Sequence, residues 1–342
     1  MSLTTGYIIT IFDVTTLDMI TMAHGSHFLL SAKARTLSLK TVFQMGEEAA
    51  YNLFCQMRWS ETDGEAYCPR CGCTESYKIK SRRQFECKAC KHHYSVSSGT
   101  IFANRKLSYT DLLAAIVIFV NGAKGVAALQ LSRDLDCQYK TAFVLTHKLR
   151  EAMAIEQAGA KLDGLIEIDG AYFGGYVKPA NEKADRKDRR LLENRTGKRQ
   201  CVVIMRERGG RSLPFIVARE GDAVSIVRDV VGNLATIHAD EGTGWDDLHS
   251  GWDVGRVNHS ARFMDKGVCT NQAESYFSRL RRMEVGTHHH IAGKYLGAYA
   301  GEAAWREDHR RVDNGNQAAM VGAALMGADV SRQWAGYWQR AA

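Results

Sequence analysis

The chain has 342 residues, a formal net charge of +7, 24% charged and 45% hydrophobic residues; that length builds two or three cored domains, and the charge points to an anionic partner, nucleic acid first. The longest unbroken apolar run, Leu112 to Val120, has nine residues, far short of the roughly 20 that cross a bilayer, so no transmembrane segment is expected. Cys55, Cys73, Cys137, Cys201 and Cys269 are scattered without pairing logic, as small apolar thiols are in a reducing compartment, and the expected location is cytoplasmic.

Residues 1–38 contain β-branched runs such as Tyr7 to Phe12 and no motif, and they read as an extension without an assigned role. Residues 39–65 predict a short helical lead-in, with Glu47, Glu48, Ala49, Ala50 and Leu53 ahead of Trp59. A small β zinc ribbon follows over 66–103. Cys68, Cys71, Cys87 and Cys90 are spaced C-x2-C, fifteen residues, C-x2-C, so two tight turns each offer two soft thiolates to a tetrahedral ion and the intervening residues suffice for a hairpin. Disulfides call for a secreted chain, and thioredoxin-like chemistry calls for a single C-x-x-C in a βαβ setting. Zinc is the better reading. Lys78, Lys80, Arg82, Arg83, Lys88 and Lys91, with Tyr77 and Phe85 among them, form a basic surface able to lie against phosphates or simply to be solvated.

Over 104–160 the chain reads as helical. Tyr109 to Val120 is an apolar helix broken at Gly122 to Gly125; Val126 to Arg133 and Tyr139 to Met153 then have helical periodicity, separated by Asp134 to Gln138. That spacing resembles a helix-turn-helix whose second helix exposes Gln138, Tyr139, Lys140, Thr141, His147, Lys148 and Arg150. Lys140 and Lys148 are the DNA-contact candidates there, and a plain three-helix connector fits the pattern equally well.

From Gly164 short apolar strands take over: Leu165 to Phe173, Cys201 to Arg206 and Leu213 to Ala218, then a helix from Val224 to Leu234 and a strand from Ala235 to Ala239. The order predicts an α/β domain over 161–315 with a mixed sheet that begins as an antiparallel meander. Its loop from Lys178 to Arg199 holds nine Lys or Arg against four acids; Lys187, Arg189 and Arg190 are its candidates for a DNA backbone. Residues 316–342 read as a C-terminal tail.

Three acids in this domain stand out. Asp169 lies inside an apolar strand, where a carboxylate is costly without a cation or donor. Asp240, with Glu241 beside it, follows a strand directly and stands where open α/β sheets place their ligands. Glu274 lies on a predicted helix from Asn271 to Arg282, with Ser278 and Arg281 on its stripe and Ala273, Phe277 and Leu280 on the packed one. Carboxylates on two strands and a helix can hold two divalent ions, magnesium or manganese, for phosphodiester displacement. Each acid has a structural explanation as well: Asp240 can cap the next segment, and Asn271 with Glu274 fits a capping box.

Residues 39 to about 311 resemble the bacterial insertion-sequence transposases that carry an N-terminal zinc ribbon before a ribonuclease-H-like (integrase-like) DDE domain. The resemblance rests on Cys68-Pro-Arg-Cys-Gly72, Ile168-Asp-Gly-Ala-Tyr-Phe-Gly-Gly175, Val257-Asn-His-Ser260, Thr270-Asn-Gln-Ala-Glu-Ser275, Tyr295-Leu-Gly-Ala-Tyr299 and Trp305-Arg306. It implies that Asp169 and Asp240 are the first two catalytic acids. Arg281, seven residues past Glu274, matches a basic DNA contact, with Arg282 beside it; His259, His288, His289 and His290 read either as lining the DNA path near the metals or as polar loop residues, and not as ligands. Some members carry asparagine in place of the third acid, so Asn271 competes with Glu274. The function implied is binding of terminal inverted repeats, cleavage and strand transfer, by a homo-oligomer on double-stranded DNA at the nucleoid. A DNA-binding protein derived from a transposase without catalytic activity is the alternative.

Overall fold

The computed structural model describes residues 27–174, 180–187, 199–258 and 267–340. They form two compact units, one running to Ile155 and resuming at His309, the other spanning Glu156–Asp308. In the first unit Ser38 Oγ accepts from Thr41 N–H and starts α1 (Leu39–Arg58), which Gly46 breaks at φ 74. Trp59 follows and is buried. Against it lies the antiparallel ribbon β1 (Ser76–Ile79), β2 (Gln84–Cys87) and β3 (His93–Tyr94). Phe85 opposes Tyr94 across the β2/β3 pair and stacks on it at 5.3 Å, with Trp59 edge-on at 5.7 Å. Phe85 is therefore ribbon core and unavailable to phosphates, whereas Tyr77 is 55% exposed.

Next, α2 (Tyr109–Asn121) starts on a Ser108/Asp111 capping box and is buried on nearly every side. Glu47 of α1 adds to that start by accepting from Tyr109 N–H and Thr110 N–H at 3.1 and 2.9 Å. The pair α3 (Ala128–Asp134) and α4 (Tyr139–Gln157) turns at Asp136, whose φ of 46 supplies the left-handed backbone that glycine usually provides. Gln138 just before α4 and Tyr139, Lys140 and Thr141 in its first turn are exposed, and near its end only Ala154 and Ile155 are. The expectation that His147 and Arg150 are exposed fails, since His147 stacks on Trp334 at 4.1 Å and Arg150 lies over the Phe119 ring, both buried.

The second unit is built on a five-stranded sheet of β4 (Leu165–Gly174), β5 (Arg199–Glu207), β6 (Ser212–Val217), β7 (Thr236–Asp240) and β8 (Asp253–Val257) in the order β6-β5-β4-β7-β8. The first three are antiparallel and β4, β7 and β8 run parallel, a mixed ribonuclease-H-like sheet. Helix α5 (Val224–Val230) precedes β7. Strand β8 went unassigned in the sequence because it is a short edge strand with no burial alternation. Side chains alternate between two cores: Ile166, Ile168, Met205 and Ile237 pack with Trp245 on one face. Ala171, Phe173, Val202 and Ile204 pack on the other against α6 (Asn271–Met283) and α7 (Leu296–Asp308). The chain then returns to the first unit, where α8 (Asn314–Gly327), capped by Asp313, packs on α1 and α2, and α9 (Tyr337–Arg340) ends the described residues. The segment read as a tail thus supplies part of a helical core.

Candidate active site

The four ribbon cysteines converge. Cys68 and Cys90 Sγ atoms lie 3.6 Å apart, Cys71 and Cys87 3.5 Å, and all four fall within 4.8 Å of one another. Zinc–sulfur bonds of about 2.3 Å in a tetrahedron put sulfurs about 3.8 Å apart, so the set fits zinc. The Cys90 N–H aimed at Cys87 Sγ holds that thiol down to about 6. Cys71 keeps a bond from the Cys73 backbone, yet its contacts with Cys90 and Cys87 push it up to about 12.

In the second unit the last register pair of the parallel strands β4 and β7 is Ile168 with Ala239, and Asp169 and Asp240 each come one residue later. Both carboxylates therefore stand side by side at the carboxyl end of the parallel pair. Asp169 accepts from Gly170 N–H at 2.7 Å, and Asp240 accepts from Gly242 N–H at 3.0 Å across the turn that leaves β7. Burial pushes the Asp169 carboxyl up to about 7 against that hydrogen bond, and the charges of Asp240, Glu220 and Glu274 push the same way. Glu220 was missed in the sequence. It follows β6, and burial and Asp240 raise its carboxyl as well. A Cβ added to Gly170 would fall 2.8 Å from its Oε1, and Gly244, just past β7, lets the Glu220 turn approach, since a Cβ there would fall 3.1 Å from Gly221 N. Among the described residues only the four cysteines bring three or more donor atoms within 4.8 Å. The acids share one electrostatic neighbourhood without closing to that spacing.

Helix α6 carries Glu274 in its exposed first turn, with Arg281 and Arg282 exposed farther along and Ala273, Tyr276, Phe277, Leu280 and Met283 buried. Asn271 does not cap this helix. The cap position is Thr270, which makes no side-chain cap bond, and Asn271 is the exposed first helical residue. The amide acceptor comes from β4: Glu167 Oε2 accepts from Gln272 N–H at 2.7 Å and Ala273 N–H at 3.2 Å, while Oε1 accepts from Arg208 at 2.7 Å. A carboxylate at a helix N-terminus also meets the positive end of the helix dipole. Beside it, His238 Nδ1 lies 3.2 Å from Cys269 O and 3.3 Å from Cys269 N. Burial lowers the His238 pKa, so its ring is neutral at pH 7.

A transposase zinc-ribbon domain matches residues 45–93, and an ISXO2-like transposase domain matches residues 161–308. The chain belongs with the zinc-ribbon insertion-sequence transposases. No curated protein matches it. Two solved structures, a Mos1 strand transfer complex and a pre-cleavage Mos1 transpososome, match at 10% and 11% identity with TM-scores of 0.25 and 0.24. Each alignment covers 62% of this chain and 78% of the other, and likeness at that level carries no argument.

On this transposase the basic candidates fall in unlike settings. Lys140 is exposed with its ammonium 5.2 Å from the Trp338 ring, whereas Lys148 is half-buried and burial lowers its pKa. Lys187 is exposed; Arg189, Arg190 and His259 lie outside the described residues. Arg281 lies over the Phe277 ring and Arg282 bonds Ser278 Oγ at 2.8 Å. His289 and His290 are exposed after the π-helical turn that ends α6, and His288 packs edge-on to Tyr299 at 4.6 Å. No described helix is long and apolar enough to cross a membrane.

Proposed function

We propose that this transposase cuts and joins DNA at the acidic cluster of its ribonuclease-H-like unit, with Asp169, Asp240 and Glu274 as ligands for two magnesium or manganese ions and one structural zinc on Cys68, Cys71, Cys87 and Cys90. The observation that carries the reading is Asp169, a carboxyl raised to about 7 by burial and by three neighbouring acids at the end of a parallel strand pair. Such a set is poised to exchange a proton for a cation. Divalent ions bound there would supply Lewis acidity for the attacking and leaving oxygens of a phosphodiester. The chain's own residues do the rest. Asp169 and Asp240 fix one side of the site from the sheet, and Glu274 enters from α6. Arg281, two helical turns farther along, is aimed at a DNA phosphate.

The exposed first turn of α4, with Lys140, and the basic ribbon give the other unit its own phosphate contacts. Joining two element ends to a target requires more than one copy of the chain, so a homo-oligomer on DNA, at the bacterial nucleoid, belongs to the same reading. The test is an Asp169→Asn variant on terminal-repeat DNA. It should bind at near wild-type strength in calcium and fail to cleave in magnesium or manganese; equal cleavage by both proteins removes Asp169 from the site.

A further inference from the structure

Glu167, Arg206 and His238 occupy one row of the sheet. Glu167 is the register partner of Arg206 on β5 and of His238 on β7. The three are 0%, 6% and 5% exposed. Burying three polar side chains in adjacent strands is costly unless each is bonded, and each is bonded to the same short stretch of chain. Arg206 Nη1 donates to Gln272 O at 2.9 Å, Glu167 accepts from the Gln272 and Ala273 amides, and His238 holds Cys269. Arg208 closes the set, with Nη2 at 2.7 Å from Glu167 Oε1 and 3.1 Å from Cys269 Sγ. Apart from the Glu167–Arg208 pair and a second contact of Arg206 with Glu307 of α7 at 3.5 Å, these partners lie in residues 269–273, directly before Glu274. On the strands, the row lies two residues before Asp169 and Asp240, on the same face as both.

From this arrangement we infer that Glu167, Arg206 and His238 are positioning residues: a polar row one layer beneath the acids that fixes the first turn of α6, and so sets where Glu274 stands relative to Asp169 and Asp240. Glu167 is not a fourth ion ligand, because both its oxygens are committed and it is sealed from solvent. It acts through the helix. The inference rests on the reading of the three acids as an ion site, and it explains how acids on three separate elements reach one place.

The experiment uses the full-length, zinc-loaded protein without DNA. Manganese affinity is measured by calorimetry, and amide hydrogen exchange at Gln272 and Ala273 is followed alongside exchange in β5. Glu167→Ala should speed exchange at the start of α6, leave β5 and the zinc content unchanged, and weaken manganese binding on the order of tenfold or more, as loss of an outer partner of a metal site does. Glu167→Gln, which keeps one acceptor oxygen at nearly the same shape, should fall between wild type and Ala; it also carries the test if the Ala variant fails to fold. Manganese affinity within twofold of wild type despite faster exchange at α6 overturns the inference. So does weakened manganese binding with exchange at α6 unchanged, which would make Glu167 a ligand itself. An Asp169→Asn arm separates the two readings. If it binds manganese as wild type does, or wild type binds none, the ion site itself falls; if only Asp169→Asn loses binding, the ion site stands and the positioning row falls.

Discussion

The two clusters in this molecule are assembled in opposite ways. The four cysteines lie within 23 residues on two turns of one ribbon, and their sulfurs reach metal-ligand spacing. The acids come from two strands and a helix, and they stop short of that spacing. A site made of local turns closes when its hairpin forms. A site gathered from distant strands depends on whatever holds its elements in register, here a buried polar row and a helix start.

The largest effect should come from breaking the local cluster. Cys87 is fully buried, and its sulfur lies 3.5 Å from Cys71. Cys87→Ser should release zinc and unfold the ribbon, since structural zinc contributes about 10–16 kcal/mol to so small a unit. Metal analysis should fall from one zinc per chain towards none, and amides of β1 to β3 should lose exchange protection. A wild-type chain that carries no zinc after anaerobic purification would remove the metal from this cluster.

Breaking the distributed cluster should act on chemistry and leave the fold intact. Asp169→Asn takes one charge from a group of mutually repelling acids, so without divalent ions the variant should be more stable than wild type at pH 8, in denaturant curves that spare the zinc. Its DNA cleavage should vanish. Destabilisation of the variant under those conditions would mean that the Asp169 charge is already compensated within the fold.

The same contrast explains how much could be read in the sequence. Cys68, Cys71, Cys87 and Cys90 were legible because ligand spacing on a turn is a property of a few consecutive residues. The order and type of β4 to β7 followed from short apolar runs, and Asp169 and Asp240 were legible as acids where strands end or turn apolar. Glu167 was passed over although it lies in the same strand, because a period of two places it on the face of Asp169 without saying what it touches. Glu220 and His238 had no local signal: one sits in a turn after β6, the other looks like a polar residue in a short strand, and only the sheet order brings them to the acids. His147 and Arg150 show the converse, where helical periodicity predicted exposure and packing by Trp334 and Phe119 prevailed.

A smaller effect separates Glu274 from Asn271. Both are exposed, at the fourth and first positions of α6, and capping by Glu167 leaves Asn271 without the capping task expected of it. Glu274→Gln should abolish strand transfer with normal folding, because an amide cannot give a second ion its charged ligand. Asn271→Ser should retain substantial transfer and, with capping supplied from β4, near wild-type thermal stability. Transfer that survives the Glu274 change and disappears with Asn271→Ser would reverse the assignment.

The smallest effect tests whether the device at α6 has a counterpart in the other unit. Glu47 accepts from the first amides of α2 and pairs with Arg83 at 2.8 Å, so a carboxylate from another element again meets a helix start. The difference is exposure: the Glu47 side chain is 33% exposed where that of Glu167 is 1% exposed. Burial alone would raise the Glu47 carboxyl, and the amides of Thr110 and Tyr109, with Arg83, outweigh it and lower the pKa. A carboxylate with a lowered folded-state pKa stabilises above its unfolded value and loses that contribution as pH falls through the folded one. Glu47→Gln should therefore cost about 1 kcal/mol at pH 7, the scale of a lost helix cap. That gap from wild type should already be smaller at pH 4, within the usual carboxylate range, and vanish below the folded-state value, with equal zinc content in the two proteins at each pH. Denaturant unfolding at pH 7 and pH 4 reads both, and a gap that is the same at the two values would show that the Glu47 contribution is packing rather than charge.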